Sequence, residues 1–286
     1  MPNFPIKLCN VVLGVIFNIS TAAFSEEVIA EYNNGHVKET HYLTIDFNGR
    51  TRSVGITETE DGLAIYQGDI ILGDVDDVLN SESAGFAPFG LVTARKDRLW
   101  PESTLIFMID PNLPKVARVR SAVAHWRNET AMQLNEIGWA DKAPTEDHVA
   151  FVRGAGCGSN LGRQGGRQLI TVGDTCGFGS IVHEIGHSFG LHHEQARKDR
   201  GNKVRILWDN ISYGSDVQFS IDAFRNDPTL DLGEYCFQSI MHYHETAFAK
   251  APGLKTIVSK KGERFGQRDG LAKCDIQTVH RLYSIQ

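Results

Sequence analysis

The sequence predicts an α+β chain, with strands gathered first and helices distributed among later strands. Three patterns carry that expectation: alternating, turn-bounded stretches before residue 90, apolar residues at helical spacing from Val116, and a second helical run closed by Gly190. The chain has 286 residues, enough for one or two domains and a sizeable core.

Taken in order, His41 to Phe47 and Leu63 to Tyr66 read as strands, with turns at Asn48-Gly49 and Asp61-Gly62. Ser81 to Gly90 is small, Gly-containing and weakly patterned, as in an exposed linker. Thr104 to Ile109 reads as a strand. Val116 to Ile137 reads as a helix, because Val116, Val119, Val123, Trp126, Ala131 and Leu134 recur on one face. Val149 to Val152 and Gln168 to Val172 read as strands flanking a Gly-rich stretch. Phe178 to Phe189 is a second helix stopped by Gly190, and Ile276 to Ile285 a third.

Hydrophobic residues make up 41% of the chain and charged residues 22%, as in soluble globular proteins. A net charge of −6 without a Lys/Arg run gives no reason to expect a nucleic-acid or anionic-membrane partner, and none is expected. Residues 1–25 read as a cleaved secretory signal: Lys7, an apolar run from Leu8 to Ile19, then Ala23 and Ser25 at a small-x-small site. The mature chain is expected outside the cell, free of the membrane and monomeric. Cys9 leaves with the signal. Cys157, Cys176, Cys236 and Cys274 remain, an even number suited to an oxidising compartment, and three connectivities are open.

The chemistry concentrates between His183 and Glu194. His183 and His187, four apart on a helix, share a face and can aim at one ion at about 2.0–2.1 Å. Glu184, beside the first ligand, is placed to take a proton from a water on the metal. A catalytic zinc takes three protein ligands and keeps one position open. Gly190 tolerates a left-handed turn that brings His193 back to the metal, whereas a continuous helix would carry it away. The offsets of Gly190 and His193 match the metzincin pattern and favour His193 over His192 as third ligand. His125 reads as a surface or satisfied core residue. Ser239 to Tyr243 is a candidate methionine turn, with Met241 a soft floor under the ligands and Tyr243 able to reach the metal or an oxyanion.

From about Leu99 onward the chain resembles the astacin family of zinc endopeptidases. The motifs are His183 to Arg200 with Glu194, Arg197, Asp199 and Arg200, the Met-turn, Arg153 to Cys157 with Gly162-Arg163, and Trp208 to Ile211. The resemblance implies a two-lobed metzincin-type catalytic domain at residues 91–286 holding one catalytic Zn²⁺, with protein or peptide substrates. It implies that Tyr243 is a switchable zinc ligand and oxyanion donor, and that Glu194 meets the new N-terminus. It also implies that Gly158, Ser159, Asn160, Leu161 and Gly162 form an edge strand for the substrate backbone. Residues 26–90 become an inhibitory pro-segment, in which Tyr66-Gln67-Gly68-Asp69 resembles the motif whose Asp caps the zinc; a plain Gly-Asp turn is the alternative. The resemblance pairs Cys157 with Cys176 and leaves Cys236 with Cys274 as a bridge outside the family pattern. A minimal form without C-terminal adhesion modules is expected. Rival readings are a non-catalytic zinc protein that grips peptides, an enzyme for non-peptide amides or esters, and a secreted adhesion module.

Overall fold

The computed structural model describes residues 37–47, 50–83, 98–139, 146–221 and 231–284. Its backbone is a nine-stranded mixed sheet. Four strands come from the first part of the chain: β1 (Val37–Phe47), β2 (Arg50–Thr59), β3 (Leu63–Tyr66) and β4 (Ile70–Asp74). Five follow: β5 (Thr104–Ile109), β6 (Gln133–Glu136), β7 (His148–Arg153), β8 (Gly158–Ser159) and β9 (Arg167–Val172). Their spatial order is β1-β2-β3-β4-β8-β9-β7-β5-β6. β1 to β4 form an antiparallel meander. β5, β6, β7 and β9 run parallel, and β8 lies antiparallel to β9.

The two groups of strands meet at one place. β4 pairs with β8 in parallel, Ile70 opposite Ser159. The expected substrate edge is therefore covered, and its regular part is only Gly158–Ser159; Asn160 to Gly162 continue outside regular strand.

Helices α2 (Val116–Glu129) and α3 (Phe178–Ser188) pack on one another beside the parallel strands. The main core holds Val119, Val123, Trp126, Phe151, Ile181, Ile185 and Phe189, all buried. The Trp126 indole donates to the Val182 carbonyl at 2.9 Å, so its single polar group is satisfied in the core. A small two-stranded sheet of β10 (Val204–Ile206) and β11 (Ile257–Ser259) supports the C-terminal lobe. That lobe has its own core around Phe219, Tyr243, Phe248 and Ile257. Helix α4 (Lys273–Leu282) closes the chain, and its Val279 and Leu282 join the main core.

Three expectations need correction. The helix from Val116 ends at Glu129 and does not reach Ile137. Thr130 turns extended, and its hydroxyl (2.6 Å) and N–H (3.1 Å) both bond to the Trp126 carbonyl, so Leu134 lies on β6. The supposed linker begins as helix: α1 (Val75–Ser83) includes Ser81 to Ser83, and its Val75 and Val78 are buried in the core of the first four strands. The last helix starts at Lys273, three residues before Ile276. The signal, the Asn48-Gly49 turn, residues 84–90 and Ile285 lie outside the described residues.

Gly179 in α3 has no room for a side chain. A Cβ there would sit 1.7 Å from the Arg268 carbonyl oxygen. Gly179→Ala is expected to cost about 3 kcal/mol, because backbone on both sides must part. Urea unfolding of the full chain should show the loss.

Candidate metal centre

Helix α3 ends in a tight left-handed turn that shapes the centre. Gly190 has φ 92°, its N–H bonds to the His187 carbonyl at 2.8 Å, and the Leu191 N–H bonds to the Gly186 carbonyl at 3.0 Å. These two bonds make a Schellman motif, and the positive φ is what Gly190 supplies. The chain doubles back, and His193 joins His183 and His187. Ring centroids lie 4.7 Å apart for His183–His187 and His187–His193, and 5.3 Å for His183–His193.

Two of these rings are held by backbone. His183 Nδ1 meets the Ile240 carbonyl at 2.7 Å, and His187 Nδ1 meets the Leu191 carbonyl at 2.8 Å. A carbonyl only accepts, so both Nδ1 atoms carry the proton and both Nε2 atoms present a bare lone pair. Burial, aided by the Arg268 charge, pushes His183 down to about 3, and burial pushes His193 down to about 4. These two rings are neutral at physiological pH, the state that binds metal.

The three Nε2 atoms face one carboxylate. Asp69, on the turn between β3 and β4, lies 3.2 Å from His183, 3.3 Å from His187 and 3.1 Å from His193. All four side chains are essentially inaccessible to solvent. Lone pairs and carboxylate oxygens at this spacing repel unless a cation lies among them. Three imidazoles with one carboxylate oxygen suit the four-coordinate N/O preference of Zn²⁺, so the residues fit the ion. Gly68 permits the approach: its φ is 84°, and a Cβ there would meet the Phe248 ring at 2.7 Å.

Around this centre the other expected residues take definite places. Glu184 is buried on α3 next to His183 and outside the four-residue cluster. Met241 lies under the helix, its sulfur 2.8 Å from where a Gly186 Cβ would be. Tyr243 is buried with its ring 4.7 Å from that of His193, and its hydroxyl donates to the Gln67 carbonyl. His192 stays out of the cluster. His125 is a satisfied residue whose Nε2 accepts the Leu271 N–H at 2.9 Å. Glu194 accepts the Cys236 N–H at 2.6 Å and lies 3.6 Å from Arg197; burial pushes its carboxyl up to about 7. It lines a cavity of about 40 Å³ with His192, Arg197, Ser239, Met241 and Asp275. Ser159 N–H donates to the Asp69 carbonyl at 2.9 Å and Asn160 Nδ2 to the Ile71 carbonyl at 2.8 Å. Gly162 N–H bonds the His187 carbonyl at 2.8 Å, tying this edge to the ligand helix, while Leu161 is buried in the core of the first four strands. Disulfides join Cys157 to Cys176 and Cys236 to Cys274.

Sequence reasoning passes over three residues. Asp275, buried at the start of α4, accepts from Ser239 Oγ (2.6 Å), Ile240 N–H (2.9 Å) and Ala272 N–H (2.9 Å). Arg268 Nη1 donates to the Ile240 (3.1 Å) and His242 (3.0 Å) carbonyls. Together they clamp the Met-turn residue whose carbonyl orients His183. Gln67 is the third, a spacer in its motif until its side chain is placed. The signal for Asp275 is a helix-cap position three residues after Ala272; Arg268 has none.

The protein-family model described as Astacin, a peptidase family, matches residues 92–284. Tolloid-like protein 1 of Mus musculus is 32% identical over 235 residues, covering 78% of this chain and 22% of that protein. Bone morphogenetic protein 1 homolog of Strongylocentrotus purpuratus is 37% identical over 205 residues, covering 67% of this chain and 32% of that protein. Among solved structures, High choriolytic enzyme 1, a hatching enzyme zinc-protease from Oryzias latipes, is similar with a TM-score of 0.56 at 29% identity. That match covers 67% of this chain and 93% of the other. The chain spans about a fifth to a third of the length of these two curated relatives.

Asp275→Ala strands three buried donors and should lower stability by about 3 kcal/mol. Thermal unfolding of the full chain would show it as a lower Tm.

Proposed function

The chain belongs to the astacin family, and from that premise we propose that it is the latent precursor of a secreted zinc endopeptidase acting on proteins or peptides. Residues 1–25 direct export, residues 26–90 hold the enzyme inactive, and residues 91–286 form the catalytic domain. No helix among the described residues is long and apolar enough to cross a membrane. The observation that carries the reading is the Asp69 carboxylate lying 3.1–3.3 Å from three converging imidazoles.

His183, His187 and His193 would hold the ion, with Asp69 filling the position that catalysis needs open. Bound there, zinc supplies Lewis acidity toward a carbonyl oxygen and makes water more acidic. Glu184 takes the proton of the attacking water and delivers it to the leaving amine. Tyr243, once the Gln67 carbonyl departs, turns its hydroxyl toward the developing oxyanion. The Gly158 to Gly162 stretch pairs with the substrate backbone in the place now taken by β4. Gly190 and Met241 shape and floor the ligand set. Glu194, already facing the cavity beside Arg197, receives the ammonium of the new chain end.

Glu184→Gln should retain zinc, read by metal analysis, while peptide hydrolysis by the activated chain falls by about 10²–10⁴. Undiminished hydrolysis would remove Glu184 from its role. Asp69→Ala should give the uncut precursor measurable hydrolysis of a short quenched-fluorescent peptide, where the wild-type precursor is silent. A silent Asp69→Ala precursor that still binds zinc would sink the capping role.

A further inference from the structure

His193 differs from the other two ligands in what holds its Nδ1. For His183 and His187 the acceptor is a backbone carbonyl of the catalytic region, Ile240 and Leu191. For His193 it is the side chain of Gln67, whose Oε1 lies 3.3 Å from Nδ1. The orientation of that amide is fixed from its other end. Gln67 Nε2 donates to the Ser220 carbonyl at 3.0 Å, an atom that can only accept, and also to the Tyr66 hydroxyl at 3.2 Å. Oε1 must then be the atom facing His193, and His193 Nδ1 must carry the proton. Its Nε2 is left bare toward the metal position.

The backbone of Gln67 is bent to allow this. Its φ of 47° puts a non-glycine residue in the left-handed region, and Gly68 follows at 84°. Such conformations persist where surrounding contacts over-determine them. Here the side chain is fully buried, and the carbonyl of the same residue accepts the Tyr243 hydroxyl.

We propose that Gln67 is a positioning residue for the third zinc ligand, so that the pro-segment retains the metal as well as covering it. The proposal rests on reading the three-histidine cluster as the zinc site. Asp69 adds a fourth ligand, and Gln67 locks the tautomer of the third. Both are lost together when the segment leaves, so zinc is held more tightly before activation than after it. Outer-shell partners of ligating histidines typically change metal affinity by about 10–100-fold.

The test is zinc affinity of the uncut precursor, measured by competition with a chromophoric chelator. Gln67→Met keeps length and burial but removes the acceptor, and zinc binding should weaken by about 10–100-fold. Gln67→Glu keeps an acceptor toward His193 while losing the donor to Ser220, and should stay close to the wild type. A Gln67→Met precursor that holds zinc as tightly as the wild type overturns the proposal. So does a Gln67→Glu loss as large as that expected of Gln67→Met, which would assign the effect to the Ser220 contact; this arm stands even if Gln67→Met fails to fold. Wild-type precursor that binds no zinc, or binds it equally after His193→Ala, overturns the metal-site reading itself and is told apart on that ground.

Discussion

Three imidazole nitrogens and one carboxylate converge in a pocket closed to water, and a cation among them makes that convergence favourable. Much else in the molecule follows from it. The Schellman turn at Gly190 returns the chain to the cluster. The Ile240 and Leu191 carbonyls orient two rings, and the Gly68 backbone conformation lets the carboxylate approach. The burial that keeps His183 and His193 neutral is the burial that would be costly for Asp69 without a partner.

Support for the cluster extends outward through distant parts of the chain. Asp275 grips the N–H of Ile240 and Arg268 its carbonyl, and that carbonyl in turn grips His183. The Cys236–Cys274 bridge fastens the segment that feeds Glu194 a backbone N–H to the helix that carries Asp275. The Met-turn is thus a junction between α3, α4 and the Glu194 cavity, and packing alone does not explain its placement.

What can be read in the sequence is what depends on local spacing. Histidines four apart on a helix, a glycine that ends it and the apolar runs of β3 and β5 are short-range patterns, and the elements form where those patterns lie. The helix from Val116 is overextended because Ala131 and Leu134 keep its apolar period, while the stop signal is one hydroxyl, Thr130. β2 and β4 go unread, and β8 enters only as the edge strand that the resemblance implies: it is two residues long and is held by its partners on either side. Gln67, Arg268 and Asp275 reach Ser220, His242 and Ile240 across 26 to 153 residues of chain, and no local pattern reports such distances.

The pairing of β4 with β8 makes the first strands and the catalytic region one continuous sheet. Breaking the chain beyond α1 leaves that pairing, the Asp69 contacts and the Gln67 contacts untouched. Besides freeing the chain end that Glu194 would receive, scission would cut the tether, turning an intramolecular occupant at high effective concentration into a separate ligand free to diffuse away. Dilution, or digestion of the detached fragment, would then govern how much enzyme is open, and a freed fragment could return to block any neighbouring copy.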